Sequence, residues 1–305
     1  PLIRRETNII EYPSPRKRSK KHRQILVEHG DKGQLIELQG NLYFARTDQL
    51  YRRVMEQVHA KKIIILHFRR VFSIDMSGMV ILMQLVETAQ KSGTEIVFAH
   101  MHKQLGFGKK MKSAFSLIES SKKRITKIFH STARALEYAE DLILKQEYKD
   151  KEYRVSSPVE FEENDLCKEI GQNEIALLKK IAQKYEYKSK ETILAEGDES
   201  SSLYLVTSGF VERRLYNGQT SYKILTKYSP GTYFGKLAFF NGGSVTTRFI
   251  AMGNTTVYKI ERSDIKLESN KMDNKLYANL LFAIGRELSK ESTVQIAEIR
   301  RLEAL

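Results

Sequence analysis

The chain has 305 residues, 41% of them hydrophobic and 29% charged, with 51 basic against 37 acidic side chains. This length and mixture allow two globular domains with separate cores, and they exclude a fibrous or disordered chain. The single cysteine, Cys167, excludes an intramolecular disulfide and a cysteine-based metal cluster, and no stretch reaches the roughly 18 apolar residues of a membrane span.

The positive charge is concentrated near the start of the chain. Residues 1–23 carry eight basic side chains against only Glu6 and Glu11. The basic side chains are Arg4, Arg5, Arg16, Lys17, Arg18, Lys20, Lys21 and Arg23. We predict a basic arm over residues 1–23, which is either a solvated linker or a contact for anionic lipid on the cytoplasmic side of a membrane.

Residues 24–145 alternate between strand and helix patterns. The predicted strands cover residues 34–39, 62–68, 95–99 and 125–129, and the predicted helices cover 47–59, 75–90 and 132–144. The run from Ile63 to Leu66 is continuously apolar and mostly β-branched, which is typical of a parallel strand covered on both faces. The second helix is expected to bury Val80 and Leu82, and Ser131 is expected to cap the third. This alternation predicts an α/β domain over residues 24–145.

The pattern changes after residue 145. Residues 146–163 are charged and lack periodicity, which predicts an interdomain linker. Residues 191–260 consist of short β-rich runs separated by turn dipeptides such as Asn217-Gly218, which predicts a compact antiparallel roll. Helical patterns flank these runs on both sides. We therefore assign residues 164–305 to a β-roll domain with a C-terminal helix.

That C-terminal helix carries a stripe of apolar residues at fourfold spacing: Leu276, Leu280, Ile284 and Leu288. A small roll offers little surface to cover such a stripe, which predicts a homodimer formed through this helix. The alternative is that the stripe packs on the roll itself.

The first domain resembles STAS domains. The resemblance is carried by the segment from Leu35 to Phe44, the strand from Ile63 to Phe68 and the loop from Ser73 to Gly78. STAS domains occur in anti-sigma-factor antagonists and as the cytosolic tails of SulP anion transporters. Three segments are more similar to the transporter tails: Ile3 to Arg5, His29 to Gly30 and Glu37 to Gly40.

The resemblance makes the loop of Asp75, Met76, Ser77 and Gly78 a candidate site. In the antagonist branch, the residue directly after the aspartate is a phosphorylated serine or threonine. Met76 stands there and cannot accept a phosphate, while Ser77 is an alternative acceptor at a helix N-terminus. The other interpretation is that Asp75 or Ser77 caps the helix. We expect a cap and no phosphorylation switch.

The second domain resembles cyclic-nucleotide-binding domains. The resemblance is strongest in the run Phe234, Gly235, Lys236, Leu237 and Ala238. In that family a glutamate follows the Phe-Gly pair and accepts the ribose hydroxyl, and an arginine nine residues further on binds the cyclic phosphate. Lys236 and Val245 stand at these two positions, so the resemblance implies a degenerate pocket. The residues after Val245 either contact another anion or are ordinary roll residues; they are Thr246, Thr247 and Arg248.

We predict a non-catalytic regulatory module of a SulP-type transporter for sulfate- or bicarbonate-class anions, on the cytoplasmic side of the inner membrane. Its partner would be the transmembrane domain of the same polypeptide, upstream of Pro1. The alternatives are a regulatory tail of a soluble enzyme such as a glutaminase, and a free signalling adaptor. The sequence contains no motif for catalysis, metal or cofactor binding. One helix after the roll leaves no helix-turn-helix, so we expect no nucleic-acid partner.

Overall fold

A computed structural model describes residues 1–101, 126–148, 156–218, 220–265 and 275–303. The chain forms two compact units. The first consists of Pro1–Pro15 and Lys21–Val155, and the second of Arg16–Lys20 and Ser156–Leu305. Within the ranges described, no helix combines the length and the apolar character needed to cross a membrane.

The helices and strands of the described residues follow one another in this order: β1 (Ile3–Asn8), β2 (Arg16–Lys17), α1 (Lys20–His29), β3 (Gly33–Leu42), α2 (Phe44–Met55), β4 (Ile63–Ile74), α3 (Met76–Lys91), β5 (Glu95–Ala99), β6 (Lys127–Phe129), α4 (Thr132–Glu147), α5 (Gln172–Ile181), β7 (Gln183–Tyr187), β8 (Thr192–Leu194), β9 (Ser202–Asn217), β10 (Ser221–Tyr228), β11 (Tyr233–Phe234), α6 (Lys236–Asn241), β12 (Arg248–Glu261) and α7 (Lys275–Glu303). Short 3-10 turns occupy Gly30–Lys32, Phe161–Glu163 and Cys167–Glu169.

The first unit is a sheet with helices on both faces. The strand order is β1-β3-β4-β5-β6; β1 is antiparallel to β3 and the other pairs are parallel. Ile64 and Leu66 of β4 pack with residues of α2 and α3, whereas Ile63 and Ile65 pack with α4. Successive side chains of a strand point to opposite faces, so a strand covered on both sides must be apolar throughout. The predicted α/β fold is confirmed.

The segment predicted as a basic arm, residues 1–23, is divided between the two units. Residues 1–15 belong to the first unit, where β1 pairs with β3. Residues 16–20 belong to the second, where β2 pairs with β10. Most side chains of β1 are only half-buried, because an edge strand has a neighbour on one side alone. The continuous apolar run that marks an interior strand of this sheet is therefore missing from residues 3–8.

The second unit is a β-roll packed against helices, as predicted. The strand order is β2-β10-β9-β12-β7, with β11 on β9 and β8 on β12. All of these pairs are antiparallel except β2 with β10. Cys167 lies in the core between the roll and the helices, and burial raises the pKa of its thiol to about 12.

The apolar stripe of α7 is part of this same core. Leu276, Leu280 and Ile284 are buried with Leu203 of β9 and with Phe161 from the predicted linker, while Leu288 is partly buried against them. The alternative interpretation, packing on the roll, is therefore confirmed, and the stripe does not provide the dimer contact. The homodimer stays a prediction that needs another face of α7. Of the predicted linker, residues 149–155 lie outside the described residues.

Candidate functional site

Aromatic rings fill the interior of the roll next to the predicted nucleotide site. The ring of Phe234 stacks between Tyr204 and Phe249, with centroid distances of 4.9 and 4.7 Å, and Tyr228 packs on it at 5.3 Å. Val245 belongs to this cluster and is 9% exposed. The position at which the resemblance implies a phosphate-binding arginine is therefore part of the apolar core.

The turn after Phe234 requires glycine. Gly235 has φ +92°, and a Cβ on it would lie 2.3 Å from the carbonyl oxygen of Ser202. Both the left-handed backbone and the close approach of β9 disfavour a side chain at this position. The turn leads directly into α6, whose first residue is Lys236.

Lys236 is buried in contact with the C-terminal helix. Its side chain is 6% exposed, and its Nζ lies 2.5 Å from Oε1 of Glu291 on α7. The same Nζ lies 5.4 Å from the centre of the Tyr233 ring, which is a cation–π distance. The position that the resemblance assigns to the ribose-binding glutamate thus holds a lysine that is paired within the chain.

Lys17 reaches the same carboxylate from the start of the chain. It lies on β2, opposite Tyr228 of β10, and its side chain is 10% exposed. Its Nζ contacts Glu291 and lies 2.8 Å from Oε1 of Glu287. Two ammonium groups and two carboxylates thus form a charge-balanced group, which we call the ion cluster: Lys17, Lys236, Glu287 and Glu291.

Further contacts hold the segment Arg16–Lys20 in the second unit. Nε of Arg16 donates to Oγ of Ser229 at 2.8 Å. The ammonium of Lys20 pairs with Glu169, whose other carboxylate oxygen lies 3.5 Å from Nη2 of Arg286 on α7. The segment is therefore linked to α7 at two places, directly by Lys17 and through Glu169 by Lys20.

Burial and neighbouring charges shift the pKa values in the ion cluster. Burial, with the nearby Lys17 ammonium, lowers the pKa of Lys236 to about 8, although Glu291 opposes the shift. Burial also disfavours charge on Lys17, but Glu291 and Glu287 outweigh it and hold the pKa of Lys17 above its ordinary value. Burial disfavours charge on Glu291 as well, but Lys17 and Lys236 outweigh it, so the pKa of Glu291 is lowered.

Lys236 gives the second unit an expected pH dependence. Its pKa in the folded chain, about 8, lies below the ordinary 10.5. Between these values the unfolded chain binds more protons, so the contribution of this group to stability rises with pH. We expect the free energy of unfolding of the unaltered chain to rise relative to that of Lys236→Met as the pH increases from about 7 to about 10. Urea unfolding of both proteins measures this difference, and a difference that does not change with pH contradicts the assignment.

The side chains of the three residues after Val245 do not line one common site. Thr246 is exposed, Thr247 is buried and its hydroxyl accepts a hydrogen bond of 3.0 Å from Nε of Arg213, and Arg248 is exposed. The guanidinium of Arg248 lies 4.5 Å from the centre of the Tyr216 ring. These positions fit ordinary roll residues better than a shared anion site. Leu237 and Ala238 of the family run are exposed and half-buried, respectively.

An open groove of about 610 Å³ lies on the roll away from the ion cluster. Its lining includes Tyr185, Tyr187, Tyr204 and the ion pair of Lys259 with Glu261. Lys236 and Val245 do not line it. The two positions that the resemblance assigns to nucleotide contacts therefore do not face this groove.

In the first unit, the predicted loop site is a helix cap. Oδ1 of Asp75 accepts a hydrogen bond of 2.6 Å from the amide of Gly78, whereas Met76 and Ser77 are exposed. A Cβ on Gly78 would lie 2.4 Å from the carbonyl oxygen of Leu42, so glycine allows α3 to approach β3 closely. Of the two residues expected to provide the cap, Asp75 does so.

Removal of this cap has a measurable cost. We expect Asp75→Ala to lower the free energy of unfolding by about 1 kcal/mol, because the amide of Gly78 loses its acceptor. Ser77→Ala is the matched control and should stay within about 0.5 kcal/mol of the unaltered chain. Urea unfolding distinguishes the two; equal effects would mean that Asp75 is not the stabilising cap.

Comparisons with known proteins identify both parts of the chain. Residues 24–107 match the STAS domain family, and residues 184–267 match the cyclic nucleotide-binding domain family. The chain is a STAS domain followed by a cyclic-nucleotide-binding-like domain.

The curated relatives of this two-domain chain include two glutaminases from Bradyrhizobium diazoefficiens. Glutaminase 2 is 25% identical over 231 residues, which are 74% of this chain and 34% of that protein. Glutaminase 1 is 26% identical over 238 residues, or 76% of this chain and 36% of that protein. The chain thus spans about a third of the length of these relatives. A solved structure, the N-terminal domain of a transcriptional regulator from Streptomyces coelicolor A3(2), is 22% identical with a TM-score of 0.40, covering 44% of this chain and 94% of that one.

Sequence reasoning missed three members of the ion cluster in the cyclic-nucleotide-binding-like domain. Glu287 and Glu291 lie one helical turn apart on α7, an arrangement of like charges that is unfavourable unless cations compensate it. That spacing was a usable signal for a buried cation. Lys17 offered no such signal, because it lies in a run of basic residues that all look alike in the sequence.

Within the described ranges of both domains, no group of three or more His, Cys, Asp or Glu side chains is placed to hold a metal ion.

Proposed function

We propose that the chain is a non-catalytic regulatory module whose cyclic-nucleotide-binding-like domain works without a cyclic nucleotide. The observation that carries this proposal is the ion cluster. Lys236 stands at the position of the ribose acceptor and pairs with Glu291 of α7, and Lys17 joins it from β2. A segment of the chain itself, rather than a bound nucleotide, thus supports the packing of the C-terminal helix on the roll.

We further propose that the module serves a SulP-type anion transporter and lies on the cytoplasmic side of the inner membrane. Two of the segments that resemble transporter tails, Ile3 to Arg5 and Glu37 to Gly40, lie on the adjacent strands β1 and β3. Nη1 of Arg4 lies 3.3 Å from Oε2 of Glu37 across this pair. Two of the three resembling segments are therefore neighbours in the sheet, at the side where β1 forms its edge. The partner in this proposal is the transmembrane transport domain of the same polypeptide.

A second candidate host is a glutaminase-type enzyme. It is favoured by the two glutaminase relatives, which match three quarters of this chain over about a third of their own length. In this case the two domains would regulate a soluble catalytic domain instead of a transport domain.

The polypeptide that carries this chain in its native host separates these candidates. The experiment fractionates cells and detects the chain with an antibody raised against it. A longer polypeptide that stays in the membrane fraction after carbonate extraction supports the transporter. A longer, carbonate-soluble polypeptide that releases ammonia from glutamine supports the enzyme. A soluble polypeptide of the present length contradicts both hosts and leaves a free adaptor.

A further inference from the structure

Five large apolar side chains are exposed together on the STAS domain. They surround the point where β3 and β4 end and where α2 and α3 begin. They are Tyr43, Phe44, Phe72, Met76 and Val80, each between 49% and 71% exposed. Single exposed apolar residues are normal, but a contiguous group of this size on a domain surface usually marks an interaction site.

A backbone contact brings the two helix starts that carry this group together. The amide of Asp75 donates to the carbonyl oxygen of Leu42 at 3.2 Å. The residues that follow these two therefore lie side by side: Met76 is the first residue of α3, and Tyr43 is the residue before α2. Val80 lies one helical turn after Met76 on the same face of α3. Val80 was predicted to be buried, and its exposed fraction of 57% corrects that prediction.

Three exposed arginines lie on the same elements as the apolar group: Arg46 on α2, and Arg69 and Arg70 on β4. Arg70 pairs in register with Gln39 on β3, and Nη1 of Arg46 lies next to the neighbouring Gly40. Throughout the described part of the chain, no carboxylate lies within ion-pairing distance of these three guanidinium groups. The nearby carboxylate of Asp75 is engaged by the amide of Gly78. We call the five apolar residues and three arginines the loop face.

We propose that the loop face binds the surface of a bilayer that contains anionic lipid. Arginines complement lipid phosphates, and aromatic and aliphatic side chains that project from a surface insert between headgroups. Insertion of this kind needs no partner of matching shape, which suits side chains as exposed as Phe72 and Met76. The N-termini of α2 and α3 add partial positive charge at the same place. The proposal does not depend on which host the chain serves.

Co-sedimentation of the whole chain with vesicles tests this proposal. The vesicles contain either phosphatidylcholine alone or equal parts of phosphatidylcholine and phosphatidylglycerol. We expect binding to the mixed vesicles that weakens with added salt, and little binding to phosphatidylcholine alone. Phe72→Ser with Met76→Ser should reduce binding about tenfold or more, because two inserted apolar side chains are lost. Arg69→Gln with Arg70→Gln should also reduce it about tenfold or more.

Two control variants carry changes of the same kind on the other domain. Phe282→Ser alters a side chain on α7 that is as exposed as Phe72, and Lys188→Gln with Lys223→Gln removes two exposed charges. Both controls should bind the mixed vesicles like the unaltered chain. Circular dichroism checks that each variant is folded. If the double variant Phe72→Ser with Met76→Ser is not folded, the double variant Arg69→Gln with Arg70→Gln decides the result. The proposal is overturned by absent binding to mixed vesicles, or by equal binding of the loop-face and control variants, which would leave an acidic protein as the partner of this surface.

Discussion

Replacement of Glu291 by glutamine is expected to lower the free energy of unfolding of the cyclic-nucleotide-binding-like domain by about 2 to 4 kcal/mol. The carboxylate pairs with Lys17 and Lys236, whose side chains are only 10% and 6% exposed. Its removal leaves two ammonium groups close together with Glu287 as the remaining carboxylate of the cluster. Glu291 itself is 38% exposed, so water compensates part of the loss and the expected cost lies toward the lower end of that for a fully buried pair.

Hydrogen exchange during urea unfolding measures the free energy of unfolding of each domain separately. Peptides from β9 report on the cyclic-nucleotide-binding-like domain and peptides from β4 on the STAS domain, so the result does not assume that the whole chain unfolds in one step. Glu186→Gln is the matched control, because its pair with Lys184 lies in the same domain but is exposed. The control should leave the free energy of unfolding almost unchanged, because water screens an exposed pair. An effect of Glu291→Gln as small as that of the control would show that the ion cluster does not stabilise the domain.

Replacement of Gly235 by alanine is expected to cost about 3 kcal/mol in the same domain. Two effects add. A left-handed backbone, here φ +92°, costs a non-glycine residue about 1 kcal/mol. The new Cβ would also lie 2.3 Å from the carbonyl oxygen of Ser202, and that oxygen belongs to the backbone of β9 and cannot move like a flexible side chain.

Gly197→Ala separates the two effects. Gly197 has almost the same φ, +93°, but a Cβ on it would meet no atom within 4 Å. The control should therefore lose only about 1 kcal/mol. Chemical unfolding followed by hydrogen exchange in β9 compares the two variants. Equal losses would mean that the close approach of β9 to the turn does not constrain Gly235.

The sequence predicted those elements whose signal is local. The strand at residues 95–99 is β5, with the same bounds, because its apolar run ends at both sides in polar residues. The helix capped by Ser131 begins at Thr132 as expected, and Oγ of Ser131 accepts a hydrogen bond of 3.3 Å from the amide of Arg134. A cap and an apolar run depend on neighbouring residues alone, so one sequence suffices to place them.

Other elements depend on pairing between distant parts of the chain. The strand predicted to end at Phe68 continues to Ile74, because β3 maintains the ladder past the exposed Arg69 and Arg70. Exposed residues in that stretch interrupt the apolar pattern without interrupting the strand. The loop face was missed for the same reason, since its residues come from two strand ends and two helix starts.

The candidate site was predicted only in part. The positions of Lys236 and Val245 followed from the resemblance to cyclic-nucleotide-binding domains, but the partners of Lys236 did not. Lys17 and Glu291 are separated by 274 residues in the chain. No local pattern indicates such a contact, because it depends on β2 joining the roll beside β10. The fold therefore had to be known before the lysine at the ribose position could be given a role.

Calorimetric titration of the whole chain with cyclic AMP and with cyclic GMP tests the central claim, that the chain's own ion cluster replaces the nucleotide. The account predicts a flat titration for both. A cyclic phosphate carries a full charge, and Val245 offers it no donor. Loss of the ribose acceptor and of the phosphate-binding arginine together removes roughly 3 to 6 kcal/mol, or about a hundred- to ten-thousand-fold in affinity. Saturable binding of either nucleotide below about 10 μM would contradict the account, since Lys236 would then have to exchange Glu291 for the ligand.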